Sequence, residues 1–289
     1  MAIPHDQPIV DTMIGFPMRD PKATYGFITK QTKDAESGKL KMPAGYMFKD
    51  VPDQADEPEH PDPIAVTLGQ MDAHGVSTGL VGVRSEDGKR AVTEFPDRFA
   101  GCLSVDPNKG MDAIREIVSA HAEFGIKAVD VFPAGTHPQV AINDKKMYPV
   151  YAKCVELGLP VFVCAGIPGP RVPFEPQKVE YIDEVMFDFP ELVMVTRHGC
   201  EPWVDLAVKL MLKWPNLYYS TSAFAPKYYP REIIDYANSR GAEKVIYAGY
   251  YPMGLSLERI MKELPNVPLK DDVWPKFLHD NAKRVLKLT

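Results

Sequence analysis

The sequence predicts an α/β fold of the closed (β/α)8 class, the TIM barrel, and three observations support this prediction. Eight apolar runs rich in Val, Ile and Phe are spaced along the 289 residues. Each run is nearly continuous in apolarity, which is typical of parallel strands covered on both faces. A segment with helical spacing follows each run, so strands and helices alternate eight times. An open doubly wound sheet is the alternative, but the sequence Gly15-Phe16-Pro17-Met18 after the first run lacks the glycine-rich turn of dinucleotide-binding folds.

The elements follow one another in regular order. The predicted strands are Ile9–Met13, Thr78–Val83, Phe99–Val105, Ile126–Phe132, Leu159–Cys164, Leu192–Arg197, Leu217–Thr221 and Val245–Gly249. Most of the amphipathic segments end at a Gly or just before a Pro, as helices commonly do. These predicted helices are Ile64–His74, Asp87–Phe95, Met111–Phe124, Lys146–Leu157, Val179–Phe187, Val204–Lys213, Arg231–Arg240 and Leu257–Leu264. We expect a last helix, within residues 272–289, to pack across one end of the barrel.

The longest interruption lies between the first strand and its helix. Residues 16–63 are dense in Pro, Asp, Lys and Gly but also contain Tyr25, Phe27, Tyr46, Met47 and Phe48. A loop this long in a compact domain is usually a lid or a binding loop. Because it follows a strand, it should emerge at the catalytic face, and we expect it to act as a lid. A disordered insertion is the alternative. The whole chain, 1–289, is predicted to be one domain.

Composition excludes several classes of function. A formal net charge of −6 argues against nucleic acid as a partner, because phosphate binding needs a clustered basic face. No apolar run reaches the roughly 20 residues that a membrane-spanning helix needs. The four cysteines have no Cys-x-x-Cys spacing, which favours free thiols in a reducing compartment. We therefore expect a cytoplasmic protein that binds a small molecule, without nucleic acid or membrane.

Residues just past the strands are the candidates for a site, because barrel enzymes place their chemistry at the carboxyl ends of the strands. Asp130 should point into the barrel, since Val129 and Val131 form the apolar face that meets the helices. Asp11 shares its parity with Met13 and should also line the interior, although a structural role is favoured for it. Asp130 is either part of a site or a satisfied structural acceptor.

His198 is the best single candidate for acid–base work, because imidazole titrates near neutral pH and this one follows the sixth predicted strand. Tyr250, with its neighbour Tyr251, can form a hydrogen bond to an oxyanion at the end of the eighth strand. Cys164 could be a nucleophile, but no activating base lies near it in sequence, so a structural thiol is favoured.

The histidines do not form an evident metal site. The seven are at positions 5, 60, 74, 121, 137, 198 and 279, with no His-x-His and no pair one helical turn apart. A catalytic zinc needs about three protein ligands. A site built from His198, Asp106, Asp130 and Cys164 is possible but disfavoured.

Several short motifs resemble the amidohydrolase-2 family, the branch of the metal-dependent hydrolase superfamily that includes aminocarboxymuconate-semialdehyde decarboxylase, resorcylate decarboxylase and related hydratases. They lie at residues 95–99 (Phe-Pro-Asp-Arg-Phe), 148–151 (Tyr-Pro-Val-Tyr), 158–163 (Gly-Leu-Pro-Val-Phe-Val), 198–203 (His-Gly-Cys-Glu-Pro-Trp), 251–253 (Tyr-Pro-Met) and 280–286. The resemblance covers nearly the whole chain. It implies a distorted (β/α)8 barrel and suggests a homodimer.

The resemblance also implies a metal site, and this sequence departs from it. The first-strand His-x-His of the family matches Met13 and Gly15, the strand-five histidine matches Cys164, and the strand-eight aspartate matches Tyr250. Only His198 is retained. Since Met, Gly and Tyr are poor ligands for a hard divalent ion, we expect no cofactor, with zinc possible but disfavoured.

Two classes of function follow. The first is a metal-independent hydrolase acting on a small carboxylated or cyclic acyl substrate, or alternatively a decarboxylase or hydratase of the same family. The second is a non-catalytic barrel that binds a small molecule or a partner protein. In the enzyme, His198, Tyr250 and Asp130 are the expected catalytic residues. The expected substrate-binding residues are Arg84, Arg197, Cys164, Met13, Trp203 and Tyr251.

Overall fold

The computed structural model describes residues 7–48 and 62–289. Within them, eight strands form one parallel sheet in which each strand pairs with the next along the chain. The strands are β1 Ile9–Asp11, β2 Val76–Gly82, β3 Phe99–Ser104, β4 Ala128–Val131, β5 Val161–Cys164, β6 Met194–Arg197, β7 Leu217–Ser220 and β8 Val245–Ile246. The predicted (β/α)8 barrel is confirmed, with strands one to three residues shorter than most of the predicted runs.

The helices lie between the strands as predicted. Two short helices, α1 Pro21–Thr24 and α2 Gly26–Thr29, belong to the first loop. The others are α3 Pro63–Ala73, α4 Glu86–Glu94, α5 Met111–Phe124, α6 Tyr148–Leu157, α7 Tyr181–Asp188, α8 Val204–Lys213, α9 Arg231–Ala237, α10 Leu257–Glu263 and α11 Asn281–Leu286, the last preceded by a π-helical turn at Lys276–Asp280. No helix in the described part of the chain is long and apolar enough to span a membrane.

Two apolar layers result from the alternation of side chains along the strands. The inner layer fills the bore of the barrel. Seven strands supply eight of its members, two of them from β3, and α11 supplies three. These buried residues are Val10, Leu80, Ala100, Cys102, Ala128, Phe162, Val195, Ile246, Ala282, Val285 and Leu286. The larger outer layer packs the strands against the surrounding helices. Because α11 supplies part of the inner layer, the C-terminal helix closes the amino-terminal end of the bore and leaves the carboxyl end for a site.

Asp11 joins the first and last strands at the seam of the barrel. Its Oδ1 accepts hydrogen bonds from the backbone N–H of Gly249 at 2.8 Å and of Met13 at 2.9 Å. Next to it, the N–H of Gly15 donates to the carbonyl oxygen of Tyr251 at 2.8 Å. The expectation that Asp11 lines the interior is wrong, because Val10 takes the inward position and the strand register shifts between Ile9 and Val10.

Candidate active site

A cavity of about 1690 Å³ opens at the carboxyl ends of the strands. Its wall combines residues that end the strands with residues from the loops after them, including part of the first loop. This is the end of the barrel at which barrel enzymes place their active sites. Since the opposite end is packed with apolar side chains, the cavity is the candidate active site.

Arg197 ends β6 at the bottom of this cavity and is 6% exposed. Its guanidinium lies over the ring of Phe162, 4.6 Å from the ring centroid, and its Nη2 donates to the carbonyl oxygen of Thr12 at 3.1 Å. The nearest carboxylate oxygen, Asp130 Oδ2, is 3.8 Å from Nη1, which is longer than a hydrogen bond. Nε has no hydrogen-bond partner among the described residues. Because guanidinium stays charged, this buried cation is incompletely neutralised.

Asp130 lies on β4 and lines the same cavity, so its predicted inward direction agrees with the structure. Its Oδ1 accepts hydrogen bonds from Ser104 Oγ at 2.8 Å and from the Cys102 thiol at 3.3 Å. Both donors belong to the neighbouring strand β3. The strand contacts therefore fix one carboxylate oxygen and leave the other facing Arg197.

His198 follows β6 and adopts a left-handed backbone conformation with φ of 66°, which turns its ring away from the strand direction. Its backbone N–H donates to Ser222 Oγ at 3.1 Å, and Ser222 Oγ also lies 3.2 Å from Nδ1. The Ser222 hydroxyl hydrogen is then free to donate to Nδ1, an arrangement that favours a hydrogen on Nε2.

The electrostatic environment of His198 differs from the sequence-based expectation. Burial, with a smaller contribution from the Arg197 charge, lowers the pKa of His198 to about 3. The imidazole is therefore neutral near pH 7, and the expected titration near neutral pH is wrong. The sequence places Arg197 next to His198, but it does not reveal how deeply the ring is buried, which is the larger cause.

Tyr250 also lines the cavity, with its ring 5.6 Å from the His198 ring in an edge-on arrangement. Phe48 of the first loop stacks on its other side at 5.7 Å. Burial raises the pKa of the Tyr250 phenol well above its usual value, so it remains a neutral hydroxyl that donates a hydrogen bond.

Met13 and Cys164 line the wall between these groups. Met13 follows β1 and is half-buried, while Cys164 ends β5 and is 6% exposed. Burial raises the pKa of the Cys164 thiol to about 12, so near pH 7 it is protonated rather than a thiolate nucleophile. Both residues are therefore placed to contact a ligand through uncharged groups.

Arg84 lines the cavity near its rim. Its Nε donates to the carbonyl oxygen of Ser104 at 2.8 Å, and its guanidinium is paired with Glu116 of α5. Because Glu116 also binds Lys109 at 2.8 Å, the Arg84 charge is engaged outside the cavity. Of the two arginines predicted to bind the substrate, Arg197 is the one whose guanidinium still has an N–H inside the pocket without a partner among the described residues.

Two predicted substrate contacts lie outside the cavity wall. Trp203 is the N-cap of α8 and packs against Phe174, with ring centroids 5.8 Å apart. Tyr251 is 7% exposed and belongs to the outer apolar layer. Their contact with a substrate stays a prediction, because both side chains lie outside the described cavity wall.

The described part of the first loop folds against the loops after β4 and β5. Gln31 Nε2 donates to the carbonyl oxygen of Gly135 at 2.7 Å, and Tyr46 OH donates to that of Gly169 at 2.7 Å. Arg171 lies over the Tyr46 ring at 4.5 Å and pairs with Asp34 at 2.7 Å. These contacts place the loop beside the mouth. Its role as a lid remains a prediction, and residues 49–61 of the predicted lid lie outside the described residues.

Tyr25 is a site residue that the pattern of strand ends did not reveal. It comes from the first loop, lines the cavity, and lies close enough to Tyr250 for that phenol to add to the rise in the pKa of Tyr25. Burial raises the pKa of Tyr25 well above its usual value, and its hydroxyl has no hydrogen-bond partner among the described residues. The sequence also contains no sign that Ser104 and Cys102 belong to the site, because their role follows only from their hydrogen bonds to Asp130.

Together the fold and the pocket define a barrel of the enzyme-bearing (β/α)8 class, with a buried cation and neutral hydroxyl groups at the carboxyl ends of its strands. The chain belongs to the amidohydrolase family Amidohydro_2, whose model matches residues 46–288. The family resemblance stated from the motifs is thereby confirmed. No curated protein sequence matches the chain.

Solved structures of similar fold cover almost the whole chain. An uncharacterized Tim-barrel protein from Bordetella bronchiseptica has a TM-score of 0.73 at 24% identity, over 97% of this chain and 98% of that one. The 5-carboxyvanillate decarboxylase LigW from Sphingomonas paucimobilis has a TM-score of 0.66 at 18% identity, over 98% and 100% of the two chains. A 5-carboxyvanillate decarboxylase from Novosphingobium aromaticivorans, solved with manganese, has a TM-score of 0.67 at 16% identity, over 97% and 96%. At these identities the likeness shows the fold alone.

The manganese in that relative corrects the expectation that no cofactor is involved, because the family includes enzymes that hold a divalent metal. The pocket of this chain was therefore compared with what such an ion requires. Among residues 7–48 and 62–289, no three His, Cys, Asp or Glu side chains are grouped to hold a metal. The cationic Arg197 also lies among the candidate donors, where its charge repels a second cation. The described residues do not fit a divalent ion.

Proposed function

We propose that this protein is a lyase that removes the carboxyl group of an aromatic or conjugated carboxylic acid. The observation that carries the proposal is the buried, incompletely neutralised guanidinium of Arg197 at the bottom of a cavity with Asp130 and Tyr250 on its wall. The decarboxylases among the structural relatives support this choice over the hydrolase expected from sequence.

The charge balance of decarboxylation suits this arrangement. When the carbon–carbon bond breaks, its electron pair stays on the substrate and moves onto a conjugated oxygen, while the carboxylate leaves as neutral CO2. Arg197 is placed to bind that oxygen, and a fixed cation in a water-poor pocket stabilises developing negative charge. In the strand order, Arg197 on β6 lies between Asp130 on β4 and the end of β8 that carries Tyr250. A ligand group bound by Arg197 therefore has Asp130 on one side and Tyr250 on the other.

A proton must then reach the carbon that has lost CO2. We assign this transfer to Asp130. Its carboxylate takes the proton of the substrate's conjugated hydroxyl as that oxygen binds Arg197, and then passes the proton to the carbon, while the oxygen of the product regains a proton from solvent. Oδ1 of Asp130 is held by Ser104, and Oδ2 faces the cavity region of Arg197. Tyr250 serves as a neutral hydrogen-bond donor to the substrate oxygen. His198 is neutral near pH 7 and serves to orient the substrate through Nε2–H, with Ser222 fixing its ring.

The test is a product analysis with carboxyl-labelled acids. A panel of hydroxybenzoates and conjugated acids carrying ¹³C in the carboxyl group is incubated with the protein, once with added manganese and once with a chelator. Release of labelled CO2 with formation of the decarboxylated product supports the proposal. Hydrolysis products, or binding of these acids without any turnover in either condition, contradict it.

Variants link that activity to the site. Arg197→Lys keeps a positive charge but loses the planar donor fork, and should reduce kcat/KM at least 100-fold. Arg98→Lys is the matched control, because Arg98 pairs with Asp72 and does not line the cavity. Equal activity of the two variants would show that the proposed anchor is wrong.

A further inference from the structure

Exposed apolar side chains are concentrated around the mouth of the cavity. Phe27 is 56% exposed, Met47 62%, Ile167 55% and Tyr228 58%, and all four line the cavity. They come from the loops after β1, β5 and β7, which all follow carboxyl ends of strands. Large apolar side chains that share one exposed site usually mark a binding surface. We name these four residues the apolar rim.

The cavity is large for the substrates that its relatives act on. Its volume of about 1690 Å³ exceeds the roughly 300–1,000 Å³ that is usual for small-molecule pockets. A single-ring acid anchored at Arg197 would fill only the bottom of such a space. Between the bottom and the rim, the wall includes Ile28, Met42 and Leu255, each 4% exposed or less. Apolar side chains therefore line the buried part of the cavity as well as its rim.

The charged side chains of the cavity wall differ in burial and pairing. The buried, incompletely neutralised cation is at the bottom. Arg84 and Lys109 share Glu116, and Arg259 pairs with Glu263 at 3.0 Å between Nε and Oε1. An anionic group is thus favoured at the Arg197 end, while the apolar rim shares the cavity wall with exposed charged residues, Arg19, Asp20 and Glu201.

From this polarity we propose that the substrate is an elongated amphiphilic acid, whose carboxylated ring lies at Arg197 and whose apolar tail runs along the cavity to the apolar rim. The proposal rests on the function proposed above, since it names the substrate class of the same site. Each methylene of the tail that leaves water should tighten binding about fourfold, until the tail passes the rim.

The experiment uses 2-hydroxybenzoate and its derivatives with alkyl chains of increasing length, titrated into the full-length protein by calorimetry at pH 7. Affinity should rise with each added methylene and then level off. In the double variant Met47→Asp with Ile167→Asp, the ratio of long-chain to parent affinity should fall at least tenfold. The matched control is Phe187→Asp, because Phe187 is 74% exposed on α7 and lies outside the cavity. Its ratio should equal that of the unmodified protein.

The outcomes separate this inference from the proposed function. If affinity does not change with chain length while the parent acid still binds through Arg197 and loses CO2, the elongated substrate is wrong and the proposed function stands. If longer chains raise the affinity equally in the Met47→Asp/Ile167→Asp variant and in Phe187→Asp, the tail does not contact the apolar rim, and the inference is also overturned. If long-chain acids bind equally well to Arg197→Lys, the head-group anchor common to both proposals is wrong.

Discussion

The two ends of the barrel bore are filled by different kinds of side chain. At the amino-terminal end, Val285 and Leu286 of α11 belong to the same buried apolar cluster as strand residues such as Val10. At the carboxyl end, the same bore ends in Arg197 and Asp130, with a cavity in place of a packed helix. The difference shows how one set of strands separates stability from binding: the closed end contributes packing, and the open end retains polar groups that packing alone would not favour.

Substitution at the closed end should have the largest effect on stability. Leu286→Ala removes a side chain that is 1% exposed, and the free energy of unfolding should fall by about 2–5 kcal/mol, measured by urea titration. Leu212→Ala, at a position 43% exposed on α8, is the control and should change stability by less than about 0.5 kcal/mol. A similar loss of stability in both variants would show that the packing of α11 in the bore contributes no more to folding than an exposed helix position does.

Substitution at the open end should reduce activity more than stability. Arg197→Met removes the cation and should lower kcat/KM at least 100-fold, which corresponds to about 2.7 kcal/mol of transition-state binding. Thermal unfolding should change less than this, because a buried charge without full pairing contributes little to stability. If Arg197→Met stays active, or if it is mostly unfolded at 25 °C, the assignment of stability to the closed end and binding to the open end is wrong.

The seam between β1 and β8 should respond to pH in a defined direction. Burial raises the pKa of Asp11 to about 6, so the folded state binds this proton more tightly than the unfolded state. Stability from that proton is present at low pH and is lost as pH rises through 6. Asp11→Asn keeps the Oδ1 acceptor, so its unfolding free energy relative to the unmodified protein should increase by about 2 kcal/mol between pH 4 and pH 8. The exposed Asp97→Asn should show no such trend, and a flat difference for Asp11→Asn would contradict the buried carboxyl.

The smallest expected effect concerns the support of His198. Ser222→Ala removes the acceptor of the His198 backbone N–H and the partner of Nδ1, and should reduce stability by about 1 kcal/mol. The kcat/KM for the labelled acid should fall about fivefold as the ring loses its orientation. Ser239→Ala, near the end of α9, is the control, and a fall in kcat/KM equal to that of Ser222→Ala would remove the orienting role.

The sequence was sufficient for the barrel because buried parallel strands and amphipathic helices have strong local patterns. It also predicted the inward direction of Asp130, since β4 alternates regularly between the two layers. Asp11 failed because β1 has only three residues and its register shifts, so parity counted from Met13 does not apply. Local pattern is reliable only where the chain stays in the sheet.

The site was less predictable because its chemistry depends on contacts between distant segments. The position of His198 followed from strand order, but its lowered pKa comes from burial and from the charge of Arg197. Tyr25 reaches the cavity through a loop without regular structure, and Trp203 and Tyr251 turn away from it. No periodicity in the sequence encodes any of these directions.

The central claim is that Arg197 is the anchor for an anionic ligand at the bottom of the cavity. Calorimetric titration of 2-hydroxybenzoate into the unmodified protein, Arg197→Lys and Arg98→Lys at low ionic strength measures this directly. Arg197→Lys should bind the acid at least tenfold more weakly than the unmodified protein, while Arg98→Lys should bind it equally well. Equal affinity of all three proteins for the acid would contradict it.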